Sequence, residues 1–216
     1  MNDRMTAVAD DVFWIALEER TGRLRLHPRA LGVTLAAGLL GELVLHDCLA
    51  ISDNAVYMPR HGGAPPDALT HRVIEQMVYQ PEHRDVATWL KFLGESAVDD
   101  IGYRLWIHRQ VDRVEPRRLV GGGRTLYMPV DTNQAAWPGI RLAKALAEQR
   151  ELDMATVFLG GLVWASGLMP HVLWDPGTAE RGKAQLPHTV QRLHPALHSL
   201  VSHTQAAVAA TVLAPR

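Results

Sequence analysis

The 216-residue chain holds 22 Lys and Arg against 23 Asp and Glu, a formal net charge of −1. That balance excludes a global electrostatic pull toward nucleic acid or anionic membrane, so any basic site must be a local patch. With 47% apolar and 21% charged residues the sequence is too apolar for disorder and long enough to bury a sizeable core in a single domain, 1–216.

The N-terminus, MNDRMTAVADDVFW, carries acids early and has no basic start followed by an apolar run, unlike a secretory signal. The single cysteine, Cys48, has no partner for an internal disulfide and suits a reducing cytoplasm. Asp10 and Asp11 read as an N-cap before VFWIALEE, with Gly22 ending that helix. From His27 to Leu45, leucines 31, 35, 39 and 43 recur at helical spacing. CLAIS (48–52) and AVYM (55–58) read as a strand pair around the turn Asp53-Asn54, and 59–67 as a loop. Helices are expected over 68–80, 84–93 and 97–114, broken by Pro81 and stopped by Pro116. Residues 117–120 and 125–130 are β-prone runs around Gly121–Gly123, a hairpin pattern. Helices follow over 138–149, 153–168 and 188–213, with 174–187 a polar connector. The class is mainly α with two small hairpins.

Two apolar stretches bear on membranes. Residues 30–45 contain Glu42 and fall short of the roughly 20 residues of a spanning helix. Residues 154–174 are long enough and uncharged, but Gly160, Gly161, Gly167 and Pro170 interrupt them. Both read as buried core helices, with no transmembrane segment.

Nucleotide chemistry fails on motif and context. GGGRT lacks the lysine and outer glycine of a P-loop, and a strand follows it rather than a helix. His194 and His198 are four apart with His188 and His203 nearby, but Pro195 stands where a zinc protease carries its glutamate. Solvated or hydrogen-bonded histidines are expected, with no metal and no cofactor. Cys48 sits in an apolar run as an inert thiol, no serine lies in a GxSxG context, and the adjacent pairs Asp10-Asp11 and Asp99-Asp100 read as caps rather than an acid/base dyad. Two arginine clusters remain, Arg23, Arg25 and Arg29 around His27, and Arg113, Arg117, Arg118 and Arg124 around the expected hairpin. The arginine fork matches phosphate oxygens.

In order, spacing and length, DVFWIALEERTGRLRLHPRALGVTLAAGLLGELVLHDCLAI (11–51), DVATWLKFL (85–93), YRLWIHRQV (103–111), RLVGGGRTLYMPVD (118–131) and LDMATVFLGGLVWASGLM (152–169) resemble the Golgi phosphoprotein 3 family, including its bacterial members. The resemblance implies a helical core with β-hairpins. It further implies a non-enzymatic, peripheral membrane protein that binds phosphatidylinositol 4-phosphate, inserts an apolar hairpin tip and adapts glycosyltransferases for Golgi sorting. Carried over, the tip falls on Leu119 and Val120. The aromatic of the headgroup pocket falls on His27, one pocket arginine on Ala36, and two more close to Glu95 and Val98. Those substitutions remove charge-assisted bonds that a phosphorylated headgroup uses, so a divergent pocket is expected.

The functional expectation is a cytoplasmic, peripherally membrane-bound protein. It would hold anionic lipid or a phosphorylated small molecule through Arg25, His27, Arg29 and Glu95, and meet the membrane through Arg118, Leu119, Val120 and Arg124. One alternative keeps the scaffold and turns the pocket into a small-molecule site or a biosynthetic enzyme, with His27 and Glu95 as the titratable pair. Another is a protein-binding adaptor that uses the helical surface and the 174–187 connector.

Overall fold

The computed structural model describes residues 7–115, 125–148 and 152–213. Their architecture is mainly α, built around one long helix. Helix α1 (Val8–Ala16) is buried at every position but Asp10, and it lies against α2 (Pro28–Leu45). Helix α2 is the hub, packing on α1 and on five of the helices that follow it.

A helix can take so many neighbours only if they come close, and small residues permit this. A Cβ on Gly32 would overlap the Gly94 carbonyl, one on Gly38 would press on the Ala9 backbone, and one on Gly41 would enter the Phe158 ring. Each glycine costs about 1 kcal/mol of helix propensity, which the close packing offsets. By length and composition α2 could cross a membrane, yet 72% of it is buried inside the fold. It is a core helix, as expected.

Strands β1 (Ala50–Ser52) and β2 (Ala55–Tyr57) pair antiparallel, Ser52 opposite Ala55. Asp53 and Asn54 both have positive φ (51° and 60°), the type I′ geometry that matches strand twist. Helix α3 (Ala68–Tyr79) starts at a capping box between Asp67 and Thr70, and α4 (Val86–Gly94) starts where Asp85 accepts from the Thr88 amide at 2.8 Å.

Helix α5 (Ala97–Ile107) is shorter than the expected 97–114. Arg109 adopts a left-handed φ of 57°, and the amides of Arg109 and Gln110 turn back to the carbonyls of Trp106 and Leu105. The chain then reverses into β3 (Val111–Val114), which pairs with β4 (Leu126–Pro129), Val114 opposite Leu126. The hairpin stem therefore begins earlier than the expected 117–120, because pairing with a distant strand overrides the local helical pattern. The expected first strand, the glycine turn and Arg117, Arg118, Leu119, Val120 and Arg124 lie outside the described residues.

Helix α6 (Thr132–Ala147) starts six residues before the expected 138, with Pro138 inside it. Its start is fixed by Asp131, which accepts from the amides of Asn133 and Gln134. Helices α7 (Met154–Ala165) and α8 (Met169–Val172) follow. The expected polar connector 174–187 is instead mostly helix, α9 (Pro176–Val190). Ala179, Gly182, Leu186 and Val190 form its buried stripe on α6 and α7, so a narrow apolar face suffices for a polar helix. The terminal α10 (Pro195–Leu213) buries Ala196, Leu197, Leu200, Val201 and Thr204 and packs on α2 and α7.

The Gly32–Gly94 contact is the tightest backbone approach of the hub. Gly32→Ala is expected to lower stability by about 1–3 kcal/mol through overpacking, read as a lower midpoint in urea unfolding followed by circular dichroism, with the unfolding slope unchanged.

Candidate functional site

Two regions concentrate chemistry, one buried and one at an end of the molecule. The buried one starts from a sequence anomaly. On α5, Ala97, Val98, Ile101 and Leu105 face the core, and Arg104 falls on that same stripe. Its side chain is only 7% exposed, which requires counter-charges.

Three carboxylates from three elements supply them. Asp10 of α1 accepts from Arg104 Nε (2.9 Å) and Nη2 (2.6 Å) through one oxygen. Asp67, the N-cap of α3, accepts from Nη1 at 2.8 Å. Glu42 of α2, 4% exposed, lies 3.4 Å from Nη1 through Oε2, while its Oε1 accepts from the Ala9 amide at 2.7 Å. Beside them Arg141 of α6 pairs with Asp11. Asp10 and Asp11 are therefore helical ion-pair partners, not the expected N-cap; Ala7 occupies that position and makes no side-chain cap bond. Of the other expected cap pair, Asp100 accepts from Ser96 Oγ and pairs with Arg72, both at its side chain, and α5 has no side-chain N-cap bond.

The carboxyls separate by environment. Burial pushes Glu42 up to about 7, against the pull of Arg104 and the Ala9 amide. Burial likewise lifts Asp11 to about 7 despite Arg141, and raises Asp10 despite Arg104. At Asp67 burial also acts upward, but the Thr70 amide and Arg104 outweigh it, and its carboxyl falls below the usual range. Burial alone would lower Arg104; Glu42, Asp10 and Asp67 together hold it above its ordinary value.

The second region holds the residues expected to bind headgroup or ligand. His27 is the N-cap of α2; its Nδ1 accepts from the Arg29 amide at 3.3 Å, with Pro28 at the first helical position. Arg29 is exposed. Arg25 is partly committed elsewhere, bonding Glu19 at 2.9 Å and the Leu17 carbonyl at 3.3 Å. Glu95 is the exposed C-cap of α4. Because Gly32 lies against Gly94, the start of α2 and the end of α4 share one end of the molecule. That contact brings the neighbourhoods of His27 and Glu95 together, though no hydrogen bond or ion pair joins the two. Ala36 and Val98 are buried, so neither position faces a ligand.

The described stem of the hairpin folds back along α5. It starts beyond the C-terminus of α5, and the Tyr127 hydroxyl reaches back to the Asp99 carbonyl in the first turn of α5 (3.4 Å). Tyr127 and Val111 are the stem's buried residues. The Tyr127 ring fills the space over Gly102 and meets Phe13 edge-on at 5.8 Å. The cross-strand pair Val114 and Leu126, by contrast, is exposed. Arg113 pairs with Glu115 at 3.1 Å.

Two histidines of the C-terminal region make local hydrogen bonds. His194 Nδ1 accepts from the Ala196 amide at the start of α10, repeating the His-Pro cap of His27, and His203 Nε2 lies 3.1 Å from Asn54 Oδ1. Among the described residues no group of three or more His, Cys, Asp or Glu is placed to hold a metal. Cys48 is buried, and burial pushes its thiol up, away from the thiolate.

The sequence model of the Golgi phosphoprotein 3 (GPP34) family matches residues 8–212. The chain belongs to that family. A comparison with curated proteins gives no significant match. The family match runs through both regions and includes every residue of the Arg104 cluster. Arg104, Glu42, Asp67 and Tyr127 were not among the residues picked from sequence. The available signals were Glu42 as the lone acid in an apolar run and Arg104 on an apolar stripe.

Arg104→Met leaves three carboxylates without their cation and is expected to cost about 3–5 kcal/mol. Urea unfolding at neutral pH reads this loss.

Proposed function

We propose that this Golgi phosphoprotein 3 family member is a non-enzymatic peripheral protein that binds anionic lipid through the hairpin and the end of the molecule holding His27 and Arg29. The observation that carries the reading is the hairpin itself. Its stem is anchored by buried Val111 and Tyr127 while its outward pair, Val114 and Leu126, is exposed. The connecting sequence then adds Arg117, Arg118, Leu119, Val120 and Arg124. Apolar side chains flanked by arginines suit the boundary between acyl chains and anionic headgroups.

The start of α2 supports the same reading. Its first turn carries no acid, Arg29 is exposed there, and the positive pole of an 18-residue helix points outward. With Ala36 and Val98 buried and Glu95 acidic, a pocket of converging arginines is not supported. The reading is therefore a generic anionic surface rather than one phosphoinositide. Leu119 and Val120 bury only a few kcal/mol at most, so binding is expected to be weak and salt-sensitive.

Flotation with phosphatidylcholine–phosphatidylserine vesicles tests this. The protein is expected in the lipid fraction at roughly 0.05 M salt and largely released at roughly 0.5 M. Leu119→Asp with Val120→Asp is expected to lower the bound fraction roughly tenfold, from two added repulsive charges and lost apolar contact. Absence from the lipid fraction at low salt contradicts the reading.

A further inference from the structure

Helix α10 carries two stripes. Leu197, Leu200, Val201 and Thr204 are buried where the helix packs on α2 and α7. Pro195, Ser199, Ser202 and Ala206, spaced four, three and four residues apart, share another face. This second stripe lines a groove of about 660 Å³ together with Asn54 of the β1–β2 turn and Gln191 just after α9. The volume falls within the roughly 300–1,000 Å³ of small-molecule sites.

The groove's polar groups are held in place. His203 Nε2 lies 3.1 Å from Asn54 Oδ1 and ties α10 to the turn. The turn is fixed in its own right, because the Asn54 carbonyl accepts from the Val86 amide at 2.9 Å. Asn54, Gln191, His198 and Ser202 are exposed. Ser202 and Thr204 give their hydroxyls to carbonyls four residues back, at 3.0 and 2.8 Å, the ordinary outlet in a helix. Ser199, also in the groove's lining, does not: its Oγ is buried and has no partner among the described residues. A buried hydroxyl left in that state is costly.

The lining selects the ligand class. Among the described residues no Lys, Arg, Asp or Glu lines the groove, so a phosphate or an ammonium meets no opposite charge there. The carboxamides of Asn54 and Gln191, the hydroxyls of Ser199 and Ser202 and the imidazoles of His198 and His203 can each donate and accept. The ligand group that also does both is the hydroxyl. Pro195 and Ala206 add a small apolar strip for C–H surface. A peptide strand is not accommodated by the neighbouring hairpin, since Ala55 and Val56 of β2 already meet residues 84 and 85, and β1 packs on α10. A docked helix wants apolar anchor sites, and the one large aliphatic of the lining, Leu193, is buried.

We propose that the groove between α10 and the β1–β2 turn binds a short neutral saccharide, its hydroxyls held by Asn54, Gln191, His198 and Ser202. With no aromatic ring in the lining for the sugar to lie on, the affinity is modest. The site shares no residue with the lipid-binding surface and does not rest on that reading.

Titration of the full chain with maltose, cellobiose and trehalose, followed by amide NMR, tests this. Saturable shifts of the Asn54 and Gln191 side-chain amides and of the backbone over 198–203 are expected, with a Kd of about 1–10 mM for at least one sugar. Ser202→Phe puts a ring into the groove from an exposed helical position and is expected to raise that Kd roughly tenfold or more. Asn54→Gly keeps the positive φ of the turn, removes the carboxamide, and is expected to weaken binding roughly fivefold. No shift at about 50 mM of any of the three sugars overturns the proposal, as does unchanged affinity in Ser202→Phe. Sodium phosphate, or the blocked peptide acetyl-trialanine amide, shifting these signals where the sugars do not makes the groove an anion or peptide site and overturns the saccharide class.

Discussion

Arg104 is the point on which the packing of this protein turns. A guanidinium in a core is tolerable only if its donors are met, and here they are met by α1, α2 and the cap of α3 at once. The bond geometry therefore fixes how α5 lies against three other elements. The same bonds explain why α1 is almost wholly buried although it holds two adjacent acids: each points to its own arginine, Asp10 to Arg104 and Asp11 to Arg141. Hydrophobic burial gives the core its driving force, but a guanidinium with directed bonds sets orientation and register in a way that leucines do not.

Around that centre the fold follows from small residues on α2. Gly32, Gly38 and Gly41 open three clefts on one helix, for the α4 backbone, the α1 backbone and the Phe158 ring. A hub helix with bulky residues there would keep its neighbours at ordinary distances, and the Gly32–Gly94 contact that joins the starts and ends of the candidate region would not form. The family match over 8–212 accords with an architecture whose parts are mutually required.

The helical pattern of α2, α3, α4 and α7 was legible because each is a local fact, a period of apolar residues between a cap and a breaker. The Asp53-Asn54 hairpin was legible for the same reason. Three segments were not. Residues 108–114 look helical by period, but Arg109 turns left-handed and Val111–Val114 finds partners twelve to eighteen residues away in sequence. Pro138 looks like a start, yet Asp131 caps the helix earlier. The 174–187 stretch is polar on most faces, and only packing shows that its few apolar positions align. At the candidate site, the placement of His27 near the end of α4 emerged from a glycine contact. The Arg104 cluster escaped because its members lie far apart in sequence and none stands in a motif.

The cap at the start of α2 also fixes the chemical polarity of His27. An imidazole that accepts the Arg29 amide at Nδ1 must, when neutral, carry its hydrogen on Nε2. The ring therefore shows solvent a donor rather than a lone pair. It is suited to a phosphate or carboxylate oxygen and unsuited to removing a proton from a substrate, unless it first surrenders the helix it caps.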